Sequence, residues 1–424
     1  MHAPSLFFAS LLAAVPFAHS QTARTEDGWH QFRGPNRDGI SHETGLMKTW
    51  PAEGPRLLWQ IQGAGGGMGS ATIGSGHVFV VGNRKEGVSI SAFDLNTRQQ
   101  AWSTVISDKR DQPNGAATFD GERLYAVSKD GILACCDAKS GELLWRKSYT
   151  ADLGGQIMSG WGFSESPLVD GDLVIGVPGG KDCLVAALDK RTGQVRWKSS
   201  LPDDVGTRGK DGAGYTGVVI SHGGGVKQYI TLAGRGLVSV RAGDGKTLWT
   251  YNTVANGTAN IPTPLVWDDY VFTSSGYGTG AALLQLTRAG EGVTIEEKYF
   301  LKAGTFQNHH GGMVRLGDHI YAGSGHNNGI PVCLEWRTGK IVWEQSERPG
   351  RESAAVISAD GELYFRWQDG TMGLIDASPA GYKLQGTFKL PGAKGPSWPH
   401  PGIHDKKLFI RSQDQIFCYD LAAK

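Results

Sequence analysis

Neither sign of charge dominates this 424-residue chain: 42 Lys and Arg face 41 Asp and Glu, a formal net charge of +1. Without a basic excess there is no long-range field to gather nucleic acid or an anionic membrane surface, and neither is expected as a partner. Cysteine is scarce, with an odd total of five, which argues against a designed disulfide framework. No apolar run after the first twenty residues is long enough to span a bilayer. Gly65-Gly66-Gly67 lacks the Lys-Ser/Thr ending and the following helix of a phosphate loop. The run Glu165-Ser-Pro-Leu-Val169 lacks the glycines that flank a nucleophile elbow, so neither Ser164 nor Ser166 reads as a nucleophile.

Glycine, by contrast, is abundant at 62 residues, as many short strands joined by tight turns require. The opening stretch, Met1 to Gln21, carries an apolar run from Leu6 to Ala18 followed by the small residues Ala18 and Ser20 around His19. That pattern predicts an export signal over residues 1–20, and with it a periplasmic or secreted protein. Residues 21–55 are expected to form an N-terminal cap, and 56–424 a single repeat domain.

The repeat is the strongest signal in the chain. Asp137-Ala-Lys-Ser-Gly141, closing on Trp145, returns as Asp189-Lys-Arg-Thr-Gly193, closing on Trp197. It returns again before Trp249 and Trp343, and more loosely as Asp94-Leu-Asn-Thr-Arg98 before Trp102. Phe300 and Phe388 close degenerate copies, and Trp59 stands alone near the start, so the closing aromatics recur every ~43–52 residues. A second signature precedes each one: a small residue or Pro, a few apolar residues, a polar turn and then alternation with period two, as in "SPLVDGDLVIGV" and "TPLVWDDYVFTSS".

Each unit therefore holds four strands, A to D, with the Asp-x-x-Thr-Gly turn joining C to D. Eight such units predict an all-β, eight-bladed β-propeller of four-stranded antiparallel blades. The last unit stops after its C strand, and an orphan D strand lies at residues 56–60. Pairing the two would close the ring without an open edge. In this scheme Trp59, Trp102, Trp145, Trp197, Trp249 and Trp343 are structural, docking one blade on the next.

The repeat unit resembles those of pyrroloquinoline quinone (PQQ) dehydrogenases and of the outer-membrane assembly scaffold that shares their fold. The stretches "QFRGPNRDGISHETGL", "NHHGGMVRLGDHIYAG" and "SWPHPGIHDKKLFIRSQDQIFCYD" are similar to PQQ-binding-like propellers of the Planctomycetes type. The dehydrogenase branch implies PQQ held with calcium, a Glu ligand after the third-blade Pro-Leu-Val strand, and a catalytic Asp in the fifth blade. Lys181 stands where that Glu is expected, and a cation cannot ligate Ca²⁺. The segment "GYGTGAALLQLTRAG" has no equivalent of the Asp. No cofactor and no metal are therefore expected. Some dehydrogenases of this kind also carry a disulfide between adjacent cysteines beside the cofactor, but Cys135 and Cys136 fall in a C strand, where neighbouring side chains point apart.

Residues just before each A strand should line one mouth of the central channel. This places Trp161, Glu165, Tyr215, Asn260, His309, His310, Arg351, Glu352, Trp398 and His400 on a candidate ligand-binding rim. His309 and His310 are read as neighbours on an extended segment that face opposite ways, so they cannot share one ion. The expected function is a monomeric, exported binding or scaffolding platform for an unknown protein, glycan or small-molecule ligand, with no recognisable catalytic set. The alternative is a periplasmic quinone-dependent dehydrogenase of alcohols or sugars. There Trp161 or Trp398 would stack on the cofactor, Glu165 or Glu352 would act as base or metal ligand, and Arg351 would pair with a cofactor carboxylate.

Overall fold

The computed structural model describes residues 28–393 and 396–423; the expected export signal lies outside the described residues. Eight sheets form the eight blades of the propeller, each built on four antiparallel strands that are successive in the chain in every blade but the last. The ring closes as the orphan strand required: Leu57–Gln62 pairs antiparallel with Gln415–Asp420, supplying the outer strand to Gly402–His404 and Lys407–Ser412. The seventh blade gains a fifth strand, because Ile40–Ser41 runs parallel to Ser358–Ala359.

The repeat residues explain how blades dock. In the turn beginning at Asp137, its carboxylate accepts from the backbone N–H groups of Lys139 (3.0 Å) and Ser140 (2.7 Å), and Gly141 follows at φ 78°. The Trp102 indole of the preceding blade lies against that glycine and donates to the Ala138 carbonyl at 3.1 Å. Trp145 repeats this with Gly193 and the Lys190 carbonyl (3.1 Å), and Trp197 with Gly245 and the Ala242 carbonyl (3.2 Å). Trp343 donates to Ser378 at 2.9 Å. Two members depart from the pattern. Trp249 donates to Gln228 within its own blade (2.8 Å), and Trp59 borders a groove shared with Arg98, which replaces the turn glycine at φ 63°.

Between the blades the C-strand cysteines fill apolar sites. Cys135 belongs to the cluster shared with the third blade and Cys136 to the one shared with the first, so adjacent residues occupy opposite faces of one strand. All five cysteines are buried thiols.

The N-terminal segment occupies the middle of the ring. The Trp29 and His30 carbonyls accept from the backbone of Ile73 (2.9 Å) and Phe119 (2.8 Å), in the inner strands of the first two blades. Arg37 reaches the third and fourth blades through the carbonyls of Ser166 (2.9 Å), Pro167 and Val218 (3.3 Å). Arg33 donates to Met313 of the sixth, Gly39 accepts from Ser358 of the seventh, and Trp29 packs on Gly402 of the eighth. One short segment thus stoppers the channel. It does so with two buried guanidinium groups whose planar donors bridge carbonyls from several blades at once.

Candidate functional site

Above this stopper lies a cavity of about 350 Å³, walled by the loops that lead into the A strands and by several B–C loops. Its floor carries Phe32 and Arg33 from the N-terminal segment. On one side Trp161, 45% exposed, meets Tyr215 edge-on at 5.9 Å between ring centres. Asn114 anchors that loop by donating to Ser164 (2.9 Å) and to the Trp161 carbonyl (3.3 Å). On the other side His309 and His310 stack at 3.9 Å with 22° between planes, and His310 contacts Trp398 at 4.5 Å. Tyr277 and His326 extend the aromatic wall, and Trp398 is fixed by a bond to Gln368 (2.6 Å).

The stacked histidines correct the sequence reading that sent their rings to opposite sides. The main chain bends at 309–310, and Gly311 and Gly312 follow at φ 83° and 86°, a conformation open to glycine. The strand alternation that would separate the rings is therefore absent here. His309 is held from both ends, by the Ser353 hydroxyl at 2.7 Å and by Tyr277 at 3.1 Å.

The other rim candidates sort clearly. Trp161, Tyr215, His309, His310, Trp398 and His400 line the cavity. Asn260 is buried in the loop framework and donates to the carbonyls of Ala233 (2.9 Å) and Gly234 (3.1 Å). Glu165 is buried too, accepting from the Tyr149 hydroxyl and from the Val177 backbone at 2.9 Å. Arg351 and Glu352 are exposed and do not line the cavity; Glu352 sits at φ 64°, in the left-handed region. Reading only the segments before the A strands missed Tyr277, Asn327 and Gln368, which come from B–C loops, and Arg33, from the N-terminal segment. His326, also on a B–C loop, stands out in the sequence only as one of the four histidines, with His309, His310 and His400, left over as possible ligands or acid–base groups.

Burial dominates the electrostatics. It pushes the His309 imidazole down to about 4, helped by repulsion from His326. His310 and His400 are held well below the ordinary histidine value, chiefly by burial; His309 adds to the effect on His310, and Arg33 to that on His400. All three rings are therefore neutral near pH 7. Glu165 moves the other way, up to about 7, because burial outweighs the Tyr149 and Val177 bonds and the nearby Arg37.

A calcium-held quinone does not fit this donor set. Among the described residues no Asp or Glu lines the cavity, so they supply none of the carboxylate oxygens that Ca²⁺ favours. Lys181 is exposed and paired with Asp203 at 3.1 Å. Among the described residues no group of three or more His, Cys, Asp or Glu is arranged to hold a metal ion.

Fold and repeat together define a PQQ-repeat β-propeller. Residues 86–345, more than half of the chain, match the family described as outer membrane protein assembly factor BamB, and the chain belongs to that family. It is 30% identical over 122 residues to BamB of Burkholderia pseudomallei (strain K96243), covering 27% of this chain and 28% of that protein. It is 26% identical over 286 residues to the dehydrogenase subunit of a quinone alcohol dehydrogenase from Gluconacetobacter polyoxogenes, covering 61% of this chain and 36% of that one. The chain thus matches only about a third of the length of these curated relatives. Among solved structures, BamB of Moraxella catarrhalis superposes with a TM-score of 0.62 at 14% identity, over 87% of this chain and all of the other, a likeness of fold.

Proposed function

We propose that this propeller is an exported binding platform whose channel mouth takes up a small molecule or the end of a glycan. One observation carries the reading: a stoppered cavity walled by aromatic and imidazole rings, with no carboxylate among the described residues that line it. Such walls bury ring faces, while the stopper excludes passage through the ring. Among the described residues no helix is long and apolar enough to cross a membrane, and a periplasmic or secreted monomer is the setting we infer.

The test is to extract and identify small molecules retained by protein purified from the periplasm. A retained compound that is lost in Trp161→Ala supports the reading. An empty extract overturns the small-molecule form, and a protein captured by the wild type but not by the variant would replace it with a protein-docking role.

The likeness to a quinone alcohol dehydrogenase over 61% of the chain favours a second reading, periplasmic oxidation of alcohols or sugars. Titration with PQQ and Ca²⁺ separates the two. Sub-micromolar binding with dye reduction by an alcohol or sugar would establish the dehydrogenase; we expect neither.

A further inference from the structure

The cavity floor presents hydrogen-bonding capacity that the protein itself leaves unused. Arg33 is 1% exposed and lines the cavity. Its Nε donates to the Arg37 carbonyl (3.3 Å) and its Nη2 to the carbonyls of Asp38 (2.8 Å) and Met313, but Nη1 has no partner. His400, 4% exposed, lies beside it with its ring edge-on to Phe32 at 5.0 Å. Neither of its ring nitrogens makes a well-directed hydrogen bond, although the ring leans toward the His310 main chain. A buried, unmatched donor is costly, and more so when charged, so two neighbours of this kind mark a place where a ligand atom belongs.

The charge balance says what kind of atom. Four guanidinium groups, Arg33, Arg37, Arg366 and Arg411, are buried beneath and around the mouth. The acids that act on them are Asp38, Glu165 and Asp414, and none lines the cavity. Arg33 and Arg366 both act on His400, and Asp38, the acid that acts on Arg33, stands outside the cavity lining, so among the described residues the lining itself presents positive charge and no carboxylate. An anion placed there gains charge-assisted bonds in a site of low dielectric. The walls add the second requirement, since the Trp161–Tyr215 pair and the His310–Trp398 pair offer ring faces rather than further charges.

We infer that the mouth selects a ring compound bearing a carboxylate, with the carboxylate seated on Arg33 and His400 at the floor and the ring held between the aromatic walls. The inference rests on the small-molecule reading above and narrows it. Aromatic acids and uronic acids share this chemistry, and a planar carboxylate suits the guanidinium fork better than a bare point charge does.

The experiment is isothermal titration of the full chain with benzoate and glucuronate, each beside its uncharged counterpart, benzamide and methyl glucoside. We expect one acid to bind roughly tenfold or more tightly than its counterpart. Whichever acid does so identifies the source. Arg33→Gln should remove that preference, with the thermal transition checked to show that the variant folds. Should Arg33→Gln fail to fold, His400→Phe in its place should weaken the acid and spare the neutral ring compound. Equal binding of acid and counterpart overturns the carboxylate seat while leaving the cavity reading intact. Failure of both acids to bind also overturns it, and the platform reading is then judged by the extraction experiment alone.

Discussion

Gly193 lies directly against the indole of Trp145 in the preceding blade: a Cβ on that glycine would fall 2.8 Å from two ring carbons. The same residue sits at φ 70°, so the turn asks for glycine twice, once for the backbone and once for the neighbour. Gly171 supplies the comparison, at φ 59° with nothing within 4 Å of an added Cβ. Gly171→Ala should cost only the left-handed strain, about 1–2 kcal/mol. Gly193→Ala should cost that plus overpacking, about 2–5 kcal/mol in all. Urea unfolding of the two variants measures the difference, and equal midpoints would mean the indole contact is slack.

The tryptophans divide in the same way. Trp145 is partly buried between blades and bonded to the Lys190 carbonyl at 3.1 Å, whereas Trp161 stands 45% exposed at the cavity. Trp145→Ala should lose about 3–5 kcal/mol of stability. Trp161→Ala should lose under about 1 kcal/mol, in keeping with a surface substitution, while abolishing ligand retention. If the two variants unfold at the same denaturant concentration, the assignment of one ring to docking and the other to the mouth fails.

Glu165 makes stability depend on pH. Burial lifts its carboxyl from an ordinary value of 4.5 to about 7 in the folded protein, so the folded state holds this proton more tightly than the unfolded chain does. The stability it contributes is complete below about pH 4.5 and is lost as pH rises through 7. His309 works in the opposite sense. Its folded value is lowered to about 4 from 6.5, so its contribution is complete above 6.5 and is lost as pH falls toward 4. Glu165→Gln removes the first slope and leaves the second. Relative to wild type, the variant should therefore gain thermal stability steadily from pH 5 to pH 8. A relative loss over that range would show instead that the carboxylate is ionised against Arg37.

The architecture was legible because a propeller writes the same solution eight times. Position in the repeat identified the inner strands and the strand that closes the ring, Leu57–Gln62. The site was legible only where it follows the repeat. Trp161, Tyr215 and His400 precede inner strands and reach the cavity, as their register implies. Arg351 and Glu352 hold the same register but do not line the cavity; the backbone there departs from the extended form, with Glu352 at φ 64°, and no periodicity encodes that. Arg33 was out of reach for a different reason. It lies in a unique segment without repeats, and its place at the channel floor comes from long-range bonds such as that to Met313. The pairing of Glu165 was out of reach as well: its partner Tyr149 lies on the short helix Tyr149–Leu153, an insertion that follows the second blade's D strand.

Cys135 and Cys136 carry the last prediction. In a PQQ-repeat propeller two adjacent cysteines invite a redox reading, which would require both sulfurs on one side of the strand. Here Cys135 faces Tyr125 and the third blade, while Cys136 faces the cluster that includes Phe79 and Ala92 of the first. Bridging them would drag both side chains out of packed cores and distort the strand that pairs Cys135 with Tyr125. Burial also pushes each thiol up to about 12, so the nucleophilic thiolate is nearly absent at neutral pH. Iodoacetamide should therefore leave the native protein unmodified at pH 8, and should alkylate all five cysteines once the unreduced chain is unfolded in guanidinium. Three alkylated cysteines, with a two-hydrogen deficit in the peptide that holds residues 135 and 136, would restore the redox reading.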